Sequence, residues 1–575
     1  MKIRSIIYSV LVMASSSVSL SSCSDFLEVE PQNEIILEKF WNEKADVDGI
    51  IAGCYSGMQT DNMMLRMMIW GEFRSDNISR GQNLDKDISI ENILKENLLA
   101  SNNYTTWDAF YNIINRCNTV IKYAPGVAEK DPNFSENELK ADIAEVTALR
   151  ALCYFYLIRT FRDVPYSTEA FIDDSQTMDL PATGFDAVLD SLISDLERVK
   201  DDAVVRYPEG TETQRLYQTG RITKMAIYAM LCDMYLWKKD YQNCIRYADL
   251  IIDEKKRQAE ENNDGSMSDA DKKRTNGYPL ITTDYTSSMS VYGYAYNEIF
   301  GEGNSSESIF ELTFMDDDNM PGNGAVSLCY GNTKNSGIMG YASVSSFIGD
   351  DIESKTFEVF NNKYDARAYE NVMLGSVIAK YAHTSSEIVF SSGEASTFFM
   401  GFFPENKVKT NWIIYRLSDI MLLKAEALTQ LISNSETFTE QDEKYYQQAF
   451  SLVNAINKRS LCQPASQLKD TLDASKFNTK EGIETLVMKE RQRELMFEGK
   501  RWYDLVRRSM RDGNTNFLVT QVLQKFTSNT SAIQNKFRKM DAIFWPYNVD
   551  ELKVNKNLRQ NPAFGSGENG SYTNN

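Results

Sequence analysis

The sequence predicts a mostly α fold. Helix pairs form a scaffold, and irregular, loop-rich regions with a few short strands ride on it. Two observations carry that expectation. Apolar residues recur at 3.6-residue spacing in paired segments: Trp107, Phe110, Ile113, Ile114, Cys117 and Val120 in one, then Val146, Leu149, Leu152, Cys153, Tyr156 and Leu157 in the next. The rhythm then stops across residues 255–411, where Tyr interleaves with Gly, Ser and Asn. A chain of 575 residues, 42% hydrophobic and 25% charged, is ordinary globular material with enough apolar residue for a large core.

The N-terminus reads as a targeting segment. Lys2 and Arg4 precede an apolar run, Ile6 to Val12, that is too short to span a bilayer. Leu20-Ser-Ser-Cys23 looks like a lipobox, in which small residues precede a cysteine that becomes lipidated. Residues 1–22 are therefore expected to be a lipoprotein signal peptide, 23–39 the lipidated Cys23 and a tether, and 40–575 a single domain. Two or three acyl chains on Cys23 supply enough apolar carbon for stable anchoring.

Helices are predicted over 40–59 and 65–75, with a loop-like stretch at 78–103, then over 107–123 and 136–162. The last of these stops at Arg162-Asp-Val-Pro165, because the residue before a proline is pushed out of helical conformation. Helices at 185–200, 219–239 and 241–254 follow. Residues 226–253 are similar to a tetratricopeptide unit, with Ala229 and Tyr235 on one helix, a turn at Asp240-Tyr241, and Ala248 on the next. Such units run to about 34 residues and bury their faces by stacking on neighbours. A second candidate spans 412–459. Inside the 255–411 insert, 260–277 reads as a surface loop, Ile309 to Phe314 as a strand and 344–360 as a helix.

From Glu484 to Arg508 one helical face would collect Ile483, Leu486, Val487, Glu490, Glu494, Phe497, Arg501 and Leu505, with Gly499 weakening the helix near its middle. Charges on a packing face are costly to desolvate unless paired, so this segment is expected to dock through ion pairs involving Glu490, Glu494 and Arg501.

Composition narrows the function. A net charge of -20 disfavours nucleic acid, whose phosphates need a concentrated basic surface. His383 is the only histidine, which removes Ser-His and Cys-His chemistry and histidine metal clusters. No Gly-rich phosphate loop follows a strand, so no cofactor is expected. Besides Cys23, an odd and scattered set of cysteines (Cys54, Cys117, Cys153, Cys232, Cys244, Cys329 and Cys462) fits neither a disulfide framework nor zinc, and reads as small buried hydrophobes. Asp316 to Gly324 carries oxygen ligands but not at EF-hand spacing, and reads as a solvated acidic turn with no metal. A glycosidase needs only two carboxylates, which a chain with 81 acids leaves open.

The 30 tyrosines are more telling. Sugar rings have apolar faces and hydroxyl rims, so Tyr platforms beside Asn, Asp and Arg suit them, and Tyr orders at low entropic cost. Loop position and chemistry nominate Asp76, Asn77, Tyr292, Tyr294, Tyr296, Tyr330 and Tyr341 as ligand-binding residues. Half or more of the loop aromatics are expected to pack the loops onto the helices instead.

The run Glu490-Arg-Gln-Arg-Glu-Leu495 through Phe497-Glu-Gly-Lys-Arg-Trp-Tyr-Asp-Leu-Val-Arg507 closely resembles the C-terminal signature of SusD/RagB-like proteins, a family of outer-membrane nutrient-binding lipoproteins. Five further stretches resemble the family: Cys23 to Gln32, Glu145 to Pro165, Lys363-Tyr-Asp-Ala-Arg367, Trp412 to Arg459 with its run Arg416 to Ala427, and the closing Phe544-Trp-Pro-Tyr547 with Gln560-Asn-Pro-Ala-Phe564. Arg162 departs from it, standing where the family usually has Gly. The resemblance implies a cell-surface protein that binds oligosaccharides without cleaving them and delivers them to a SusC-like TonB-dependent transporter. It also implies anchoring in the outer membrane through Cys23, facing outward; Ser24-Asp25 resembles the acidic export signal of such lipoproteins. The alternative is a surface peptide- or protein-binding adaptor on a tetratricopeptide-like scaffold.

Overall fold

Polar caps start the helices, and a row of neighbours buries their apolar faces. The computed structural model describes residues 40–565 apart from 85–86, 174, 209, 211, 263–267, 283–289, 293, 315–321, 331–339, 357, 361, 374, 392–393, 403–408, 436, 463–467 and 469–471. The signal segment, Cys23 and its tether, and most of the Asp316–Gly324 turn lie outside the described residues. Helix accounts for 61% and strand for 7%, which is the expected mostly α class.

The principal helices are α1 (Lys44–Met58), α2 (Asp61–Met68), α3 (Asp108–Ala128), α4 (Glu136–Phe161), α5 (Phe185–Val199), α6 (Lys224–Lys238), α7 (Tyr241–Asn262), α8 (Asp269–Thr275), α9 (Leu417–Leu431), α10 (Glu440–Arg459), α11 (Lys480–Leu495) and α12 (Arg501–Asp512). Ser135 with Glu138 and Thr439 with Asp442 form reciprocal capping boxes that satisfy the first N–H groups of α4 and α10. Lys239 ends α6 in the left-handed region (φ +66°) and Asp240 accepts the Asn243 N–H, so α7 folds straight back on α6. Packing then runs in series: α1 on α3, α3 on α4, α4 on α5, α5 on α6, α6 on α7, α7 on α9, and α9 on both α10 and α11. The α7–α9 contact stacks the two tetratricopeptide-like units directly, with the whole insert looped out between them.

Strands of three or more residues are β1 (Ile78–Arg80), β2 (Ser290–Tyr292), β3 (Ser308–Leu312), β4 (Ala342–Val344), β5 (His383–Ser391), β6 (Glu394–Phe402) and β7 (Trp412–Arg416). They form small antiparallel ribbons, β1 with β4, β7 with β3, and β6–β5–β2. Several expectations change here. Residues 412–416 are a strand and not the start of the helix pair, because the buried run Trp412-Ile-Ile-Tyr415 completes a ladder with β3. The stretch 78–103 holds β1 and a short helix, Ile88–Leu94, whose first turn is capped by Asp87. The expected helix at 344–360 is the end of β4 followed by Ser346–Ser354. The surface loop at 260–277 instead contains α8 and the last residues of α7. All seven described cysteines are buried free thiols, as small hydrophobes would be.

Candidate functional site

The signature block is not one helix. It breaks between Leu495 and Arg501, where Phe497 and Gly499 take positive φ (68° and 69°). The break is forced by a close approach: a Cβ on Gly71 would lie 1.8 Å from the Gly499 carbonyl oxygen. Glu72, in the π-turn Ile69–Phe73 that follows α2, accepts the Phe497 N–H at 3.0 Å and the Lys500 N–H at 3.2 Å. A side chain thus supplies acceptors for N–H groups that the interrupted helix leaves without partners. Burial pushes the Glu72 carboxyl up to about 7.

Around this break the buried charges are paired from distant parts of the chain. Glu494 accepts from Arg367 at 2.9 Å, from Arg416 at 2.6 Å and from Arg459. Glu490 accepts from Arg367 at 2.8 Å and Arg493 at 2.6 Å, and Glu498 from Arg416 at 2.7 Å and Lys380 at 2.6 Å. Burial alone would raise the Glu494 carboxyl, but Arg459, Arg416 and Arg367 together hold it well below the usual carboxylate range. Glu490, Glu494 and Arg501 therefore do dock through ion pairs, with Arg367, Arg416, Arg459 and Asp76 as partners outside the block and Arg493 inside it.

The same network takes in Asp76 and Asn77, which corrects their nomination for the binding face. Both are fully buried. Arg501 grips Asp76 with two bonds of 2.8 Å, the Gln492 amide donates to Asp76 at 3.0 Å and to Asn77 at 2.9 Å, and the Asn77 amide donates to Glu72 at 2.8 Å. Tyr296 and Tyr330 are also corrected, being 3% and 1% exposed. The Tyr296 ring stacks on His383 at 4.4 Å and its hydroxyl accepts the Tyr381 N–H. Tyr330 donates its hydroxyl to the Phe497 carbonyl at 3.0 Å, tying the insert to the signature break. Burial lowers the His383 imidazole to about 4, so this lone histidine is a neutral core ring.

The remaining three tyrosines lie in the loop-borne insert. The β5 register puts Tyr292 opposite Glu387. Half-buried Tyr341 adjoins the β1–β4 ribbon, its carbonyl accepting the Gly81 N–H at 2.8 Å. Gly81 is required there, since a Cβ would come within 2.2 Å of the Gly340 carbonyl. Tyr294 is 48% exposed and lines a cleft of about 420 Å³ with Ser268, Asp271, Thr282, Glu298 and Ser306. Asp271 accepts the Thr282 hydroxyl at 2.9 Å and the Ser268 hydroxyl at 2.6 Å, while Glu298 has no hydrogen bond or ion pair among the described residues. No ring contact or hydrogen bond joins Tyr294 to Tyr341 among the described residues. Sequence reasoning missed Asp271, Thr282, Glu298 and Ser306. One legible clue was Ser268-x-x-Asp271, a helix-start pattern inside the stretch read as loop.

A helix-repeat frame locked by buried ion pairs, with a polar cleft and an exposed ring on its insert, defines a scaffold-plus-binding-surface protein. Comparisons place it more closely. Residues 404–564 match the SusD family, and residues 25–236 match a family described as starch-binding associating with outer membrane. SusD-like protein P38 of Formosa agariphila is 26% identical over 98% of this chain and 100% of its own. A SusD superfamily protein from Bacteroides vulgatus superposes with a TM-score of 0.61 at 17% identity, covering 91% of this chain and 100% of that one. A laminarin binding SusD-like protein superposes at 0.59 with 19% identity, covering 91% and 100%. The chain belongs to the SusD/RagB-like family. No described helix is long and apolar enough to cross a membrane.

Proposed function

We propose that this protein captures oligosaccharides at the cell surface and delivers them, uncleaved, to a SusC-like TonB-dependent outer-membrane transporter. Acyl chains on Cys23 would hold it to the outer membrane facing outward, with 23–39 as a tether and 40–575 as one domain. The observation that carries the capture step is the Tyr294 cleft. It offers a half-exposed ring for the apolar face of a sugar, and hydroxyls and carboxylates for the rim. Tyr292 and Tyr341 are the other ring candidates on the insert. The family and the laminarin-binding protein of the same fold support the ligand class. The reading contains no catalytic step.

Titration calorimetry of the protein against a broad oligosaccharide panel tests it. Binding is expected, and Tyr294→Ala should weaken it at least about tenfold, which is about 1.4 kcal/mol, with an unchanged melting temperature. Silence across the panel, alongside binding to peptides, would move the protein to the adaptor reading. Co-purification of a TonB-dependent transporter from membranes, lost on Cys23→Ser, tests the delivery step.

A further inference from the structure

We infer that the Tyr294 cleft selects uncharged oligosaccharides and rejects those bearing uronate or sulfate groups, with Glu298 as the residue that sets the preference. The inference rests on the capture reading above and adds the ligand class.

The lining is lopsided. Asp271 and Glu298 both face the cleft, no Lys or Arg lines it among the described residues, and the other polar side chains there are the hydroxyls of Ser268, Thr282, Tyr294 and Ser306. Ionised carboxylates only accept hydrogen bonds, whereas a sugar hydroxyl both donates and accepts. A neutral sugar can therefore donate to Glu298 and accept from Ser306, while the Thr282 hydroxyl, whose proton goes to Asp271, is left as an acceptor. A uronate or sulfate is itself an acceptor and an anion, so it brings nothing that Glu298 can bind and a charge that Glu298 repels. Specificity of this kind comes from an element unfavourable to the wrong ligand, and an unpaired carboxylate is one.

The cations nearby do not offset it. Lys255 lies buried behind the wall and gives its ammonium protons to the carbonyls of Ser306 and Ser308, both at 2.7 Å, so it is committed to backbone. Burial also pulls its pKa down to about 8. Lys272 and Lys273 are solvent-exposed neighbours of Asp271 on α8 and are not among the lining residues, so bulk water attenuates their field at the cleft. The whole chain carries a net charge of -20, which adds a repulsive field for any anionic glycan.

The test is calorimetry of the full chain in detergent at low salt, with neutral glucan, mannan and galactan oligosaccharides set against oligogalacturonates and sulfated galactan oligosaccharides of matched length. At least one neutral ligand should bind at least about tenfold tighter than any anionic one. Glu298→Gln should close much of that gap, and Glu298→Lys should make oligogalacturonate the better ligand; melting temperatures confirm that both variants fold. Raising the salt should narrow the wild-type gap. Equal or tighter binding of anionic glycans by the wild type, or a gap unmoved by Glu298→Gln, overturns the selectivity while leaving capture intact. Binding to no oligosaccharide of either class, or binding indifferent to Tyr294→Ala, overturns capture itself and this inference with it.

Discussion

Glu494 and Glu298 are both glutamates of the same chain, yet their surroundings are opposite. Guanidinium groups of Arg367, Arg416 and Arg459, gathered from separate parts of the chain, close on Glu494 inside the frame. Glu298 stands in an open cleft with no partner among the described residues. A desolvated charge is tolerated only when its partners are all present, so the frame can be altered only as a unit. A half-exposed charge without a partner carries little folding energy, so Glu298 can be replaced at small cost to the fold. That contrast predicts which substitutions destroy the protein and which merely change its ligand.

Glu494→Ala should have the largest effect. Three buried cations would lose their common counterion, and removing one partner of such pairs costs about 3–5 kcal/mol. Chemical denaturation should show that loss before any change in ligand preference; a variant of full stability that lost binding alone would break the comparison. Gly71→Ala should follow at roughly 2–4 kcal/mol, since its new Cβ would collide with the Gly499 backbone, 1.8 Å away, and neither backbone can yield cheaply. Its melting temperature gives the check.

The pH profile sharpens the contrast further. Glu72, Glu311 and Glu370 are pushed up by burial from 4.5 to about 7. Between those values the folded chain holds protons that the unfolded chain releases, so stability falls as pH rises from about 4.5 to 7. Glu490, Glu494 and Glu498 are held below 4.5, so their contribution is present above that value and is lost on further acidification. Thermal unfolding should therefore be most resistant at mildly acidic pH, with a lower melting temperature at pH 7.5. Glu72→Gln should flatten the fall between pH 5 and 7; a profile that rises steadily to pH 8 would contradict the assignment.

The smallest effect is expected at Arg162. It ends α4 at φ +71°, a region unfavourable to any side chain, and its pairs with Asp163 and Asp541 are about one-third exposed. Arg162→Gly relieves about 1–2 kcal/mol of strain and gives up under 1 kcal/mol of solvated pairing. A net gain of roughly 0.5–1 kcal/mol in a denaturant titration is the outcome to look for.

The frame was far more legible in the sequence than the site. Trp107 to Val120 and Val146 to Leu157 announced α3 and α4, because a 3.6-residue period is local information. The need to pair Glu490, Glu494 and Arg501 was legible too, since charges on an apolar stripe admit few solutions. Asp76, Asn77, Tyr296 and Tyr330 misled for one shared reason. Polar and aromatic residues in loop-like sequence look exposed, and only the tertiary contacts reveal that Arg501, Gln492, His383 and the Phe497 carbonyl take them inside.

By itself, then, the chain's order of residues determined most scaffold helices, the existence of helix pairs, the family signature and the demand for buried counterions, all of which depend on neighbours within a few turns. Tertiary structure alone decided which partners answer that demand, where the signature helix breaks, and which ring is left facing solvent. Those depend on segments hundreds of residues apart meeting at a few ångströms. Gly71 against Gly499 is the clearest case: in sequence Gly499 is only a weak point in a helix and Gly71 gives no signal, and their approach explains both.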